Sequence, residues 1–347
     1  MTLPISTRLI SFIVVTALGL AALLIMPMLL DSFSLLQAIL FVAVAILALS
    51  QAFLWGYAGI LSFGQAAFFG IGGYSYAVGV INFGDSTGAI ALSIVIPAAV
   101  AALLGYFMFY GRISDAYVGV ITLTVTTILY ELSNSTSGDQ YRIGSAQLGG
   151  FNGMPGLAPF NLPGQPDQWL DEKGTWYVAM GALLLIYILL RGLLSTWFGR
   201  VVVAIRENET RAMLVGYDVR FYKLVAFSIS GGIAGLGGCI YAAWGGFVNP
   251  SVFALSMSAQ AIVSVLVGGI GTLVGAVAGA VIIQALINLS GTQSIIDPSL
   301  GIGIILVVFV ILVPQGLLPS ISALVSKLKP KRVAPQRLAH ETQEVKP

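Results

Sequence analysis

From Ser32 to Gly84 the chain carries no charged residue, and the stretches 9–30 and 86–111 are equally bare. Soluble domains place roughly one charged residue in every four. Runs this long without charge cannot form a water-facing surface. Across all 347 residues, 57% are hydrophobic and 9% charged, which leaves too few charges to cover a globule of this size. Lipid is therefore the solvent for most of the chain. A disordered chain, a nucleic-acid binder and a disulfide-stapled secreted domain are all excluded.

A bilayer core about 30 Å thick needs about 20 apolar residues per helix. The sequence predicts ten spans, near 9–30, 34–54, 59–80, 88–110, 117–133, 176–194, 223–245, 257–270, 273–289 and 299–318. The stretch 257–289 is too long for one span and short for two; Gly268, Gly269 and Gly271 offer a break, so two short helices meet there at a turn. Continuous apolar runs without two-residue alternation favour helices over a transmembrane barrel. The expected fold class is all-α, a polytopic helical bundle. Arg8 precedes the first apolar run as in a signal peptide, but that run extends to Leu30. It exceeds the ~7–15-residue signal core and reads as a span.

Basic residues set orientation. The loop 195–222 holds Arg200, Arg206, Arg211 and Arg220, with Lys223 at its edge. The tail 321–347 holds Lys327, Lys329, Lys331, Arg332, Arg337 and Lys346, while Arg8 and Arg112 mark two further helix ends. The loop 134–175 has Arg142 and Lys173 against Asp139, Asp167, Asp171 and Glu172. Ten spans put every basic-rich segment on one side, with both termini cytoplasmic. The tail mixes Pro, Lys, Arg, Gln and Glu without apolar periodicity and reads as disordered, its charge serving topology and anionic-lipid attraction.

The spans lack driving groups. No Asp, Glu, His or Lys sits mid-span, and Glu131 and Arg191 lie near span ends. That argues against a proton- or sodium-driven carrier. No Gly-Lys pair exists, so no phosphate-cradling P-loop is present. With one cysteine, Cys239, and one histidine, His340, no disulfide, metal cluster or catalytic triad can form within the chain. The expectation is a chain with no catalytic residues, metal or cofactor of its own: a passive conduit, or one part of a machine powered by another chain.

The 41 glycines cluster in 56–73, 231–246 and 268–279. Gly231/Gly235 and Gly271/Gly275 are four apart, a spacing that lets helix backbones approach closely. Such helices serve tight packing, or breaks beside a substrate path. Ser62, Gln65, Tyr74 and Ser75 lie in or beside the first cluster; Gln260, Asn249 and Thr124 are weaker candidates. A glutamine at membrane depth needs hydrogen-bond partners, supplied by a neighbouring helix or by a translocation path. In 199–223, Ala204, Ile205, Asn208, Ala212 and Val215 fall near one helical face, with Arg206, Glu207, Glu209 and Arg211 around them and Gly216 as a stop. A short amphipathic helix of mixed charge suits docking on a cytosolic partner; lying on lipid is the alternative.

The stretch GYAGILSFGQAAFFGIGGY (Gly56–Tyr74) resembles the signature of branched-chain amino-acid ABC importer permeases. GRVVVAIRENETRAMLVGYDVRFYKLVAF (Gly199–Phe227) resembles their cytoplasmic segment. GGFNGMPGL (Gly149–Leu157), VLVGGIGTLVGAVAGA (Val265–Ala280) and PQGLLP (Pro314–Pro319) follow in the same order. The set covers residues 35–320 and is most similar to the longer of the two permease subunits. Gly73 departs from a frequent alanine, and Ala276 from a frequent proline.

This resemblance implies a sister permease, two cytosolic ATPases that bind and hydrolyse ATP, and a periplasmic binding protein, in a bacterial inner membrane. It places the ATPase-coupling contact on Ala204, Ile205, Arg206, Glu207 and Asn208, and it implies two helix sets in an inverted repeat. Ser62, Gln65 and Tyr74 are then the polar candidates along a mostly apolar path, with Gly231, Gly235, Gly271 and Gly275 as packing positions. An importer of urea or short amides looks very similar, and a stand-alone channel or secondary carrier is the rival from another class.

Overall fold

In lipid every backbone N–H and C=O must be satisfied within its own segment, so apolar runs become helices. A computed structural model describes residues 5–291. Its helices are α1 (Ile5–Leu29), α2 (Ser32–Gly56), α3 (Gln65–Phe83), α4 (Ser86–Tyr110), α5 (Asp115–Ser135), α6 (Glu172–Ser195), α7 (Trp197–Glu207), α8 (Glu209–Leu214), α9 (Val219–Gly245), α10 (Leu255–Gly268) and α11 (Leu273–Gly291). Seven of them, α1 to α6 and α9, are long and apolar enough to cross a membrane. The chain is thus a polytopic helical membrane protein. α10 and α11 are bent by 119° at a short break, where the glycines of 268–271 had marked one. The expected span 299–318 and the tail 321–347 lie outside the described residues.

Polar residues punctuate the helices at their ends. Asp85, Asp171, Asn208 and Asp218 each accept a backbone N–H in the first turn of the helix that follows. Gly84 and Gly246 close α3 and α9 in the left-handed conformation, which glycine adopts without steric cost.

Glycine-rich α9 packs against α2, α3 and α4. A Cβ on Gly231 would lie 2.6 Å from that of Ala101 on α4, and one on Gly235 would run into Pro97. Gly72 of α3 faces the backbone of Gly235. Lipid tails are as apolar as the protein interior, so close backbone approach supplies what hydrophobic burial cannot. Gly275 and Gly268 bring α11 equally close to α10. Gly271 corrects the expected helical pair: it lies outside α11, in the break, with φ +85°. There its backbone meets Gly56, whose added Cβ would stand 2.8 Å from the Gly271 nitrogen.

The segment 134–175, expected as an external loop, is a folded cap. It contains β1 (Arg142–Ile143), β2 (Ala146–Gln147), β3 (Met154–Pro155), β4 (Asn161–Leu162) and β5 (Gln165–Trp169), and β3 pairs with β6 (Phe247–Val248) beyond α9. Side chains on the helices pin it. Asn82 of α3 donates to Ile143 O at 2.9 Å and accepts from Ser145 N at 2.8 Å. Tyr76 donates to Ala158 O at 2.9 Å. Asn161 bonds Ser86 and Asp85 at the start of α4. The Asp85 carboxyl is held below the ordinary carboxylate range, first by the Thr87 N–H and then by Asn161.

Candidate functional site

Between α2 and α3 the chain leaves helical conformation over 57–64 while staying largely buried. Buried backbone that leaves a helix needs other hydrogen-bond partners. Here the protein supplies them. Phe63 N donates to Thr122 Oγ1 of α5 at 3.1 Å, Gly64 N to Ser62 Oγ at 3.0 Å and Ala66 N to Ser258 Oγ of α10 at 3.2 Å. A hydroxyl from α10 thus satisfies an N–H in the first turn of α3, and one from α5 holds the segment just before it. Thr124, a weaker polar candidate in the sequence, is exposed and bonds its own helix at Val120 O.

Gln65 is sealed in the same region. Its amide donates to Ser230 Oγ at 3.1 Å and its carbonyl accepts from Ser50 Oγ at 3.2 Å, while Ser230 Oγ donates to Ser50 O at 3.0 Å. All three residues are at most 1% exposed. Of the alternatives for Gln65, the structure places it in helix-to-helix bonding among α2, α3 and α9. Ser62 is likewise consumed locally. Gln260 pairs with Gln284 across α10 and α11 at 2.6 Å. Tyr74 differs: it stacks on Phe253 at 5.5 Å between ring centroids, and its hydroxyl has no hydrogen-bond partner among the described residues.

Phe253 ends the 3-10 turn Pro250–Phe253, which packs against both α3 and α5. α5 itself is loosely held. Tyr117, Val120, Thr124, Thr127, Ile128 and Glu131 fall along its open side, spaced at helical intervals, and all are exposed. Glu131 lies near the end of the helix, and the two threonine hydroxyls bond their own backbone at Val120 O and Leu123 O.

At the end of the bundle that holds the α2–α3 segment, 199–223 forms two helices rather than one, because the Asn208 side chain caps a new start at Arg211 N. Val201, Ile205, Ala212 and Val219 pack together beneath them. Ile205 is therefore turned inward at 3% exposure, while Ala204, Glu207 and Asn208 stay exposed and Met213, Leu214 and Val215 project outward. Leu214 is 84% exposed. Arg206 donates to the Gly56 carbonyl at the end of α2 and pairs with Glu207 at 2.9 Å. A Cβ on Gly59 would come within 2.7 Å of Arg206 Cγ. Arg206 thereby joins α7 to the α2–α3 break. A groove of about 760 Å³ opens beside α8, lined by Arg112, Asp115, Glu209, Tyr217, Arg220 and Lys223 among others. Lys223, unremarked in the sequence beyond its charge, is buried there between two carboxylates.

Residues 34–313 match the family described as branched-chain amino acid transport system / permease component. The high-affinity branched-chain amino acid transport system permease protein LivM of Escherichia coli K12 is 28% identical over 282 residues, covering 72% of this chain and 63% of that protein. The chain thus matches somewhat less than two thirds of that relative's length. The inner membrane ABC transporter permease protein YjfF of Escherichia coli K12 is 32% identical over 42% of this chain and 46% of its own. The autoinducer 2 import system permease protein LsrC of Salmonella paratyphi B is 32% identical over 30% of this chain and 31% of its own. No solved structure matches.

Proposed function

Since this chain belongs to the family of branched-chain amino acid transport system permease components, we propose that it is the membrane-spanning subunit of an ATP-driven importer of branched-chain or related amino acids. It is a multi-pass inner-membrane permease. In our reading ten spans leave both termini in the cytoplasm and repeat in inverted sense. Two cytosolic ATPases bind and hydrolyse the ATP, a sister permease completes the conduit, and a periplasmic binding protein delivers substrate to the cap.

One observation carries the reading. The α7–α8 segment shows apolar side chains to solvent, yet its inner face is locked to the bundle, with Arg206 on Gly56. An outward apolar tip on an anchored two-helix segment suits a groove on a partner. We assign the coupling contact to Ala204, Arg206, Glu207 and Asn208 with Met213, Leu214 and Val215 beside them. Ile205 acts from below as packing. For the path we retain Tyr74 and add the open side of α5, which stands against the sister permease. Ser62 and Gln65 support the α2–α3 break behind it. An apolar conduit suits aliphatic side chains, and the binding protein governs substrate choice.

Purification of the tagged chain from its native membrane in mild detergent, with mass spectrometry of its companions, tests this. Two ATPases and a second permease are expected. Recovery of the chain alone, with uptake continuing in vesicles that lack ATP, would replace this reading with a channel or carrier.

A further inference from the structure

Among the described residues, Lys223 is the only charged side chain that is buried. It sits in the first turns of α9, with Nζ 3.0 Å from Asp115 Oδ1 and 2.6 Å from Glu209 Oε2. Asp115 is the first residue of α5 and Glu209 the first of α8. One ammonium thus ties the starts of the consecutive helices α8 and α9 to that of α5, which is far away in sequence. The two carboxylates are 61% and 40% exposed, so they reach in from the groove surface toward a cation that cannot leave it.

The two outer helices need such a tie. α8 is six residues long and buries a single side chain, Ala212. α5 packs mainly on the two 3-10 turns, 150–152 and 250–253, and touches α3 and α10 lightly. A buried ion pair is a poor source of stability, since an apolar residue of similar volume commonly does as well. What it supplies is a directional link that can be shared unequally between two acceptors. Lys223 can hold Glu209 while releasing Asp115, or the reverse.

We propose that Lys223 is a positioning residue of the transport cycle: an ammonium joint that passes displacement of α8 to the adjoining end of α5. This rests on the functional reading above, in which α8 abuts the ATPase and α5 forms a wall of the conduit. ATP-driven movement of α8 then pulls Glu209, Lys223 follows, and Asp115 carries α5 with it. Neither Asp115 nor Lys223 touches substrate or nucleotide in this scheme.

The test uses the whole importer in proteoliposomes with its binding protein. A fluorophore is placed on the first turn of α5 by Ala116→Cys; Ala116 is exposed and is not among the α5 residues set against the sister permease, and Cys239 is fully buried and escapes labelling. Three quantities are read: ATP hydrolysis, radiolabelled leucine uptake and the ATP-dependent fluorescence change. Lys223→Met and Asp115→Asn are expected to keep hydrolysis within about two-fold while uptake per ATP and the fluorescence change fall about ten-fold, an ordinary size for lost coupling. Lys223→Arg is expected to restore most of both. Asp115→Asn leaves Lys223 paired with Glu209, so it decides the matter if Lys223→Met fails to assemble. A full fluorescence change in Asp115→Asn, or none in the parent, overturns the joint. A parent that hydrolyses ATP and shows the change yet takes up no leucine overturns the substrate reading and leaves the joint standing.

Discussion

Gln65 of α3 donates its side-chain amide to Ser230 of α9 at 3.1 Å, and the same glutamine accepts from Ser50 of α2. The consecutive helices α2 and α3 are held to the distant α9 by one polar cluster in an apolar interior. An unpaired amide here costs far more than the bond itself contributes. The cluster therefore bears on the stability of the bundle.

Gln65→Leu follows from this. Ser230 keeps its bond to Ser50 O and Ser50 its bond to Leu47 O, so no hydroxyl is stranded. The variant is expected to lose about 1–2 kcal/mol of stability, read as a lower unfolding temperature in detergent. The ratio of leucine to valine uptake is expected to be unchanged. A changed ratio would return Gln65 to the path.

Backbone contact between α3 and α9 is the second target. A methyl group at Gly72 has no space against Gly235, so Gly72→Ala must push the helices apart. Overpacking of this kind costs about 1–3 kcal/mol. Gly181→Ala on α6 meets nothing within 4 Å and is the control; it is expected to be neutral or to stabilise by up to about 1 kcal/mol, from helix propensity. Size-exclusion profiles after graded heating distinguish the two.

The two sides of the α7–α8 segment separate docking from folding. Leu214→Asp places a charge at an open tip, and ATPase co-purification is expected to fall about ten-fold, a loss of about 1.4 kcal/mol in association, at unchanged thermal stability. Ile205→Asp buries a charge without a partner and is expected to destabilise the chain itself by about 3 kcal/mol or more. Equal effects of both variants on stability would remove the docking assignment from the outer tip.

Acid is expected to weaken the cap at Asp85. A carboxyl whose folded-state pKa is depressed contributes stability that is complete above its unfolded pKa and is lost as pH falls through the folded value. Asp85 is depressed chiefly by the Thr87 N–H, with Asn161 next. Trp169 pairs with Asn161 in the β4–β5 ladder. Its fluorescence, taken by difference against Trp169→Phe, is expected to stay constant from about pH 7 to 5 and to change below about pH 4. Asp85→Asn is expected to abolish that transition; if the transition persists unchanged, Asp85 does not hold the cap.

Hydropathy and charge settled from the sequence alone that this chain lives in lipid. They also marked the approximate course of seven long helices, although the span placed at 59–80 becomes helical only at Gln65, and a break near Gly268, Gly269 and Gly271 between α10 and α11. Each of these depends on local composition, because a segment in lipid must satisfy its own backbone. Which side of each helix faces inward was not legible. Lipid and protein interior are equally apolar, so periodicity carries no sign of direction. Only the tertiary structure turned Ile205 in and Leu214 out, gave the Phe63 N–H to Thr122, and took Gly271 out of a helix to meet Gly56. It alone joined Gln65 to Ser230 across 165 residues and Lys223 to Asp115 across 108. Such partnerships are made by helices meeting in space, and no short stretch of sequence contains both members.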